Sequence, residues 1–311
     1  MWRRESGSGL TLLSNRFGSA SHLTLLVPVS ASPTCFLFDN GSLRAAATKS
    51  LRAVALALEA KLGVSVEPVS LLHSSGVDPA ELEGRKAKLL EPALDDFWSR
   101  GGGEPVILPL FFGPSAALTE YVPARLEALR ARHPSKAAWL ADPLVNLSDR
   151  DDRRVARALA DAVRAVVRER GLARPGVVLV DHGTPQKAVT AVREHLGVQL
   201  REELAGQAAA VGTASMERRE GPDYAFNEPL LARALRASPF DAGDVVVALQ
   251  FLSPGRHAGP GGDVAAICAE AEAERPGLRT YMTEPLGAHP AVIDVLADRY
   301  AEAVRRGSSA R

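Results

Sequence analysis

The chain states nearly the same thing twice. Val177-Val178-Leu179-Val180-Asp181-His182-Gly183-Thr184-Pro185 repeats the character of Cys35-Phe36-Leu37-Phe38-Asp39-Asn40-Gly41-Ser42, at an offset of 142 between Asn40 and His182. Leu249-Gln250-Phe251-Leu252-Ser253-Pro254-Gly255-Arg256-His257 answers Pro109 to Ala117 at an offset of 140, and Glu284-Pro285-Leu286 answers Asp142-Pro143-Leu144 at 142 again. Three matches in one order at almost constant spacing mark an internal duplication, so the chain folds as two related halves. The 311 residues leave room for two cores of ordinary size. The halves differ where chemistry would be done: His182 and His257 of the second are Asn40 and Ala117 in the first.

Each half reads as four strand–helix units. Strands are expected near residues 35–39, 65–72, 105–112 and 137–142, and again near 176–181, 209–216, 244–252 and 278–284. Runs such as Asp244-Val245-Val246-Val247-Ala248-Leu249 have the unbroken apolar character of strands buried on both faces. Between them, Val189, Val192, Leu196, Leu200 and Leu204 recur at helical spacing, as do Leu43, Ala47, Leu51, Val54, Leu58 and Leu62. Thr184, followed by Pro185, and Ser42 are expected helix caps, and Asp263 is expected to cap the helix after His257. Strand alternating with helix through short links forces parallel strands and right-handed crossovers. The expected fold class is α/β, two tandem doubly wound parallel-sheet domains. Residues 34–150 form a degenerate first domain and 151–311 the domain that carries the histidines, with the helix Asp149 to Arg170 as the joint. Residues 1–33 lie outside the repeat and read as an N-terminal extension without order.

Ligands of parallel sheets collect at the carboxyl ends of the strands. His182 ends the first strand of the second half and His257 follows the third. These strands are neighbours in a doubly wound order, which brings both imidazoles to one crevice. A neutral imidazole takes up a proton or ligates a divalent metal near pH 7, so His182 and His257 are candidates for both tasks. Glu217, ending the second strand, adds a carboxylate to the rim. Asp181 points away from His182 by strand alternation and anchors the turn. The loop from Ser253 to Asp263 is rich in glycine. Gly259 and Gly261 allow close backbone approach to a ligand, and the N–H groups of the following helix start favour anions. Arg256, Arg218, Arg219, Arg193 and Lys187 lie on segments that can flank the crevice, as a polycarboxylate ligand would require.

Other signals narrow the field. Formal charge is zero, so no basic field recruits nucleic acid or a membrane surface. No apolar run spans a bilayer and the leader matches a secretory signal poorly, so a cytoplasmic location is expected. Cys35 and Cys268 fall one per half, with neither metal-ligand spacing nor a disulfide framework. No phosphate loop, His-Glu-x-x-His or Cys-x-x-Cys occurs, so no nucleotide is expected.

On the residues Leu179 to Thr184, Gly255-Arg256-His257-Ala258-Gly259 with Asp263, and Glu284-Pro285-Leu286-Gly287 with His289-Pro290, the chain resembles the class II, ATP-independent tetrapyrrole chelatases. The likeness is to their sirohydrochlorin cobaltochelatase and ferrochelatase group, and covers about residues 34–305. It implies that His182 and His257 face a tetrapyrrole in a cleft between the halves, hold the incoming metal and accept pyrrole protons. It also implies a lyase acting in cobalamin or siroheme biosynthesis, with cobalt as the metal substrate and iron or nickel as alternatives. Glu217 falls near a family carboxylate, and Arg256, Gly259 and Gly261 would meet the pigment's carboxylates. The first half, with Asn40 and Ala117, becomes the opposite wall, where His73 stands near the second strand's end. Two other readings remain: a non-catalytic tetrapyrrole or metal carrier of the same fold, and a phosphoryl-transfer enzyme. The latter is disfavoured because Asp181 stands where such chemistry wants an arginine.

Overall fold

A computed structural model describes residues 34–309; the expectation for residues 1–33 lies outside them. In the first half the elements are β1 (Cys35–Asp39), α1 (Ala45–Leu62), β2 (Val66–Ser70), α2 (Leu90–Ser99), β3 (Val106–Pro109), α3 (Val122–Arg132) and β4 (Trp139–Leu140). Then follow α4 (Arg154–Arg170), β5 (Gly176–Asp181), α5 (Lys187–Glu203), β6 (Ala210–Ser215), α6 (Leu231–Ala234), β7 (Gly243–Leu249), α7 (Asp263–Glu274), β8 (Leu278–Met282) and α8 (Pro290–Ser309). Two four-stranded sheets result, ordered β2-β1-β3-β4 and β6-β5-β7-β8, parallel throughout. The fold is the duplicated α/β arrangement expected, and β5 and β7 are neighbours. The sequence overestimates β3 and β4: past them the chain still bonds, Leu110 N–H to the Phe38 carbonyl at 2.8 Å and Ala141 N–H to the Ile107 carbonyl at 2.9 Å, but no longer within a strand.

Strand alternation sorts the core into layers. Leu37, Leu179, Val246 and Ala248 turn inward to one core shared by both halves, which α1, α4, α5 and α8 fill with residues such as Leu51, Leu159, Val192 and Leu296. Phe36 and Phe38 turn outward beneath α2 and α3, whereas Val178, Val180, Val245 and Val247 turn outward beneath α6 and α7. Full burial on both faces explains why these strands are unbroken apolar runs.

The closing helices cross over. The final helix of the chain, α8, lies on the first half: Arg299 donates to the carbonyls of Pro143 (3.0 Å) and Leu144 (3.2 Å), Arg306 pairs with Asp142 at 2.6 Å, and Gly307 lies flat against the Trp139 indole. In return α4, which follows the first sheet, packs on the second half, where Arg164 donates to Gln207 Oε1 (2.9 Å) and to the Glu203 carbonyl (2.7 Å). Loops also reach across. Gly113, just past β3, sits against Val192 of α5, and Gly287, past β8, sits near Val54 of α1. A loop of each half therefore touches a helix of the other.

Two expected caps are corrected. Helices α5 and α1 start later than read, at Lys187 and Ala45, and neither has a side-chain cap. Thr184 Oγ1 instead accepts from the Gln186 N–H and Ser42 Oγ from the Arg44 N–H, each at 3.0 Å. A hydroxyl that closes a local turn is no longer available to the helix. Both cysteines are buried and free, and burial pushes the Cys268 thiol up to about 11, so neither serves as a thiolate ligand. Among the described residues no helix is long and apolar enough to cross a membrane.

Candidate functional site

At the end of β5 the chain turns through Gly183, with φ at 91°. A side chain here would drive a Cβ to 1.8 Å from the Glu217 carbonyl, so only glycine lets the two strand ends meet. The turn leaves His182 half-exposed, with Nδ1 3.0 Å from the Gly183 carbonyl and Nε2 3.5 Å from Glu217 Oε1. On the other side stands His257. The two rings are edge to face, with centroids 4.5 Å apart. The structure thus brings together His182, His257 and Glu217, read from three separate parts of the sequence.

His257 is fixed from behind. Its Nδ1 lies 2.6 Å from Asp263 Oδ2, and its carbonyl accepts the Val264 N–H at 3.1 Å. Asp263 is the first residue of α7, not its cap, and its carboxylate is spent on the ring. A carboxylate on Nδ1 selects the tautomer that presents a lone pair at Nε2. The carbonyl on Nδ1 of His182 does the same. An Nε2 lone pair facing a carboxylate at 3.5 Å is unfavourable without a positive species between them, so the pocket suits a proton or a metal cation. Among the described residues no three His, Cys, Asp or Glu side chains form a closed metal cluster. The donor set is partial and open to solvent.

The expected anion site at the start of α7 is corrected. The Asp263 and Val264 amides donate to the Arg256 and His257 carbonyls, so they hold the loop and not a ligand. Gly259 and Gly261 have φ of 115° and 72°, and supply turns that other residues resist. Gly259 also lines a cavity of about 440 Å³ behind the loop, with Pro260, Arg170, Tyr281 and Glu284. Arg256 is exposed, 3.6 Å from Asp263 Oδ2. The flanking arginines divide. Arg193 is only 1% exposed and Arg218 is tied to Glu228 at 2.8 Å, so neither is free to meet a ligand as expected. Arg219 and Lys187 lie over the rings of Tyr224 and Phe226.

Asp181 points away from His182, as alternation predicts, into a buried network. It accepts from Ser215 Oγ at 2.6 Å and faces Arg193 Nη1 at 3.6 Å, while Arg193 also donates to Ser215 Oγ and to the Asn227 carbonyl. Asn227 in turn bridges the Thr184 backbone through its N–H and carbonyl. Sequence reasoning missed two contributions: the Asp263 brace and Gln250. Gln250 is 6% exposed, its Oε1 has no partner, and in register it follows Leu249 beside Asp181. The signal was present, since the 140-residue offset sets Gln250 against Leu110.

The first half repeats this turn without its chemistry. Gly41 (φ 87°) meets the Leu72 carbonyl as Gly183 meets that of Glu217, so Leu72 occupies the Glu217 place and His73 follows it on the turn. Leu51 stands where Arg193 does, leaving Asp39 half-buried, with no cation paired to it among the described residues and with its buried Oδ1 unpartnered. Burial pushes the Asp39 carboxyl up to about 6. An acid raised on folding helps stability below its unfolded value near 3.8, and that contribution is lost as pH climbs to about 6. Asp39→Asn is therefore expected to stabilise the protein by up to ~3 kcal/mol above pH 7, a gain that fades below pH ~4. Urea unfolding at several pH values checks this; an equal or lower midpoint for the variant at pH ~8 contradicts it.

Two duplicated parallel sheets with an imidazole pair at the strand ends of one define a chelatase-like α/β protein. The CbiX family model matches residues 176–303, the half that carries the pair. The chloroplastic sirohydrochlorin ferrochelatase of Arabidopsis thaliana is 33% identical over 126 residues, 40% of this chain, and the match spans half the length of that relative. In three dimensions, SirB from Bacillus subtilis with Fe3+ superposes with a TM-score of 0.63 at 17% identity, over 89% of this chain and 98% of that one. The sirohydrochlorin chelatase SirB of B. subtilis subspecies spizizenii, in complex with cobalt, gives 0.62 at 14%, over 89% and 97%. A multi-domain Deinococcus radiodurans protein with structural similarity to chelatases gives 0.56 at 19%, over 88% and 55%. The likeness in sequence to the CbiX family and to the plant ferrochelatase is thus a likeness of part of the chain, which for the family model is residues 176–303 of the second half.

Proposed function

We propose that this protein is a metal chelatase that inserts a divalent metal into sirohydrochlorin, cobalt first and iron second. The observation that carries the reading is the pair of imidazoles with ring centroids 4.5 Å apart, each with Nδ1 engaged, and with Nε2 of His182 3.5 Å from Glu217 Oε1. Insertion must load a cation without trapping it and remove two pyrrole protons. Weak coordination by two imidazoles leaves positions open to the incoming ring nitrogens. As the metal passes to the macrocycle, the freed Nε2 atoms accept the pyrrole protons, and Asp263 stabilises the imidazolium at His257. Glu217 balances the metal's charge on arrival and the proton's afterwards. The name of the Arabidopsis relative supports sirohydrochlorin as the tetrapyrrole. Nitrogen donors bind cobalt more tightly than iron, which favours cobalt when both are supplied. A cytoplasmic setting, with no membrane or nucleic-acid partner, belongs to the same reading.

Absorbance-monitored titration of sirohydrochlorin with Co2+, Fe2+ and Ni2+ in turn tests it. Catalytic conversion beyond one equivalent of protein is the expected result, fastest with cobalt. A stop at one equivalent for every metal would leave a carrier in place of a chelatase.

A further inference from the structure

We propose that a cavity in the first half, between α1 and β2, binds a small organic oxyanion, a carboxylate or a phosphate ester. The cavity holds about 430 Å³, within the ~300–1,000 Å³ usual for small-molecule sites. Residues 85–88 complete its lining, and none of His182, His257 and Glu217 takes part in it. β2 is the end strand of its sheet, so no further strand fills the space beside it.

The duplication shows how this space arises. The Ser70 N–H donates to the Lys88 carbonyl at 2.9 Å, as the Ser215 N–H donates to that of Pro229 at 3.0 Å. Two residues earlier, the Lys86 carbonyl accepts from Arg52 at 3.3 Å and the Asn227 carbonyl from Arg193 at 3.0 Å. Lys86 therefore occupies the Asn227 place. Asn227 is fully buried, bonds both ways to the Thr184 backbone and lies 3.5 Å from Thr190 Oγ1. In the first half the Ser42 N–H goes to Ser74 Oγ instead, and Lys86 is exposed. Thr48, which matches Thr190 at the offset of 142, is left 5% exposed with no partner for its Oγ1. A buried hydroxyl costs stability until something bonds to it, and this one lines the cavity.

The lining selects the ligand. Thr48, Arg52 and Leu56 stand at i, i+4 and i+8 on one stripe of α1, running from the buried hydroxyl to an exposed leucine. Arg52 donates to the carbonyls of Leu82, Arg85 and Lys86. Those three bonds fix the guanidinium and leave two of its five N–H groups without a partner among the described residues. Four cations line the cavity, Arg52, Arg85, Lys86 and Lys88, against two carboxylates. Both carboxylates are engaged, Glu59 by the Val66 N–H at 2.9 Å and Glu67 by Lys88 at 3.0 Å. Among the described residues neither Arg52 nor Lys86 pairs with a carboxylate. Burial, and then repulsion from Arg85, lower the Arg52 guanidinium below its ordinary value, and a bound anion would offset both. A fixed guanidinium and an ammonium suit the oxyanion, Thr48 can bond to it, and Leu51, Ala55 and Leu56 suit a short carbon body.

Calorimetric titration of the whole chain with succinate and with glycerol 3-phosphate tests the site and separates the two kinds of anion. At least one probe is expected to bind with a dissociation constant below ~1 mM at low salt. Tighter binding of succinate identifies a carboxylate site, and of glycerol 3-phosphate a phosphate site. Lys86→Glu, a charge reversal at an exposed position, should weaken that binding by ~10-fold. Thr48→Val removes the hydroxyl but keeps the branched shape. It should weaken binding by ~3- to 10-fold while the thermal midpoint holds or rises, because the hydroxyl has no partner to lose. A threonine kept for structure alone would lower the midpoint and leave affinity untouched, which would overturn the site. Failure of both probes to bind below ~1 mM, or binding indifferent to both substitutions, overturns it equally. Neither metal nor pigment enters these measurements, so the site stands or falls apart from the chelatase reading.

Discussion

Replacing either histidine of the pair should stop metal insertion while leaving the fold intact. His182→Ala and His257→Ala are each expected to lower turnover by ~10²–10⁴-fold, the usual worth of a positioned acid–base group, with further loss where metal loading also fails. Both side chains project from strand ends into a partly solvated space, and neither belongs to a buried apolar cluster, so unfolding midpoints should barely move. The mechanism also predicts unequal effects on metal binding. His257 is braced by Asp263 at 2.6 Å, whereas His182 is held only by its own turn, so His257→Ala should cost more cobalt affinity. Insertion kinetics with calorimetric cobalt binding decide the matter. Wild-type turnover in the double variant would remove the site from the reaction.

The second large effect is on stability. Arg193→Leu installs in the second half the residue that the first half carries at Leu51, and it strips Asp181 of the buried guanidinium beside it. Burial already pushes the Asp181 carboxyl above the usual range, with Ser215 and Arg193 pulling it back. Removing one partner from a buried ion pair is expected to cost ~3–5 kcal/mol, because the remaining charge is left in a medium that solvates it poorly. Arg193 also donates to the Asn227 carbonyl, so the turn carrying His182 would loosen as well. Adding Asp181→Asn should recover part of the loss, which a double-mutant cycle in urea would measure. A single-variant loss below ~1 kcal/mol would mean that the pair contributes little net stability.

Much of this architecture was legible because the duplication supplied an internal comparison. The offset of 142 set β1 beside β5 and located both histidines at strand ends, and parallel topology did the rest. Glu217 was harder to place: its true counterpart is Leu72, 145 residues earlier, since the link between first strand and second differs in length between the halves. Asp263 was legible as a helix-start residue but not as a histidine partner, because an acidic side chain suits both roles and only the loop's path separates them. The arginines failed for a related reason. Charge along a sequence does not say which side chain is drawn inward by a buried aspartate, as Arg193 is by Asp181. The exchange of α4 and α8 was invisible too, since an apolar stripe announces that a helix will be covered and not by which sheet.

That exchange has a mechanical consequence. A protein whose two lobes are joined by a simple strap can swing open and shut about it, but here each lobe is clasped by a helix that originates in the other. Spreading the lobes would drag α8 from its seat on Trp139 and Pro143 and α4 from its hold on the Glu203 turn, stripping apolar surface on both sides at once. The spacing between the half that carries the histidines and its silent twin is consequently set by interlocked framework and not by the length of a linker.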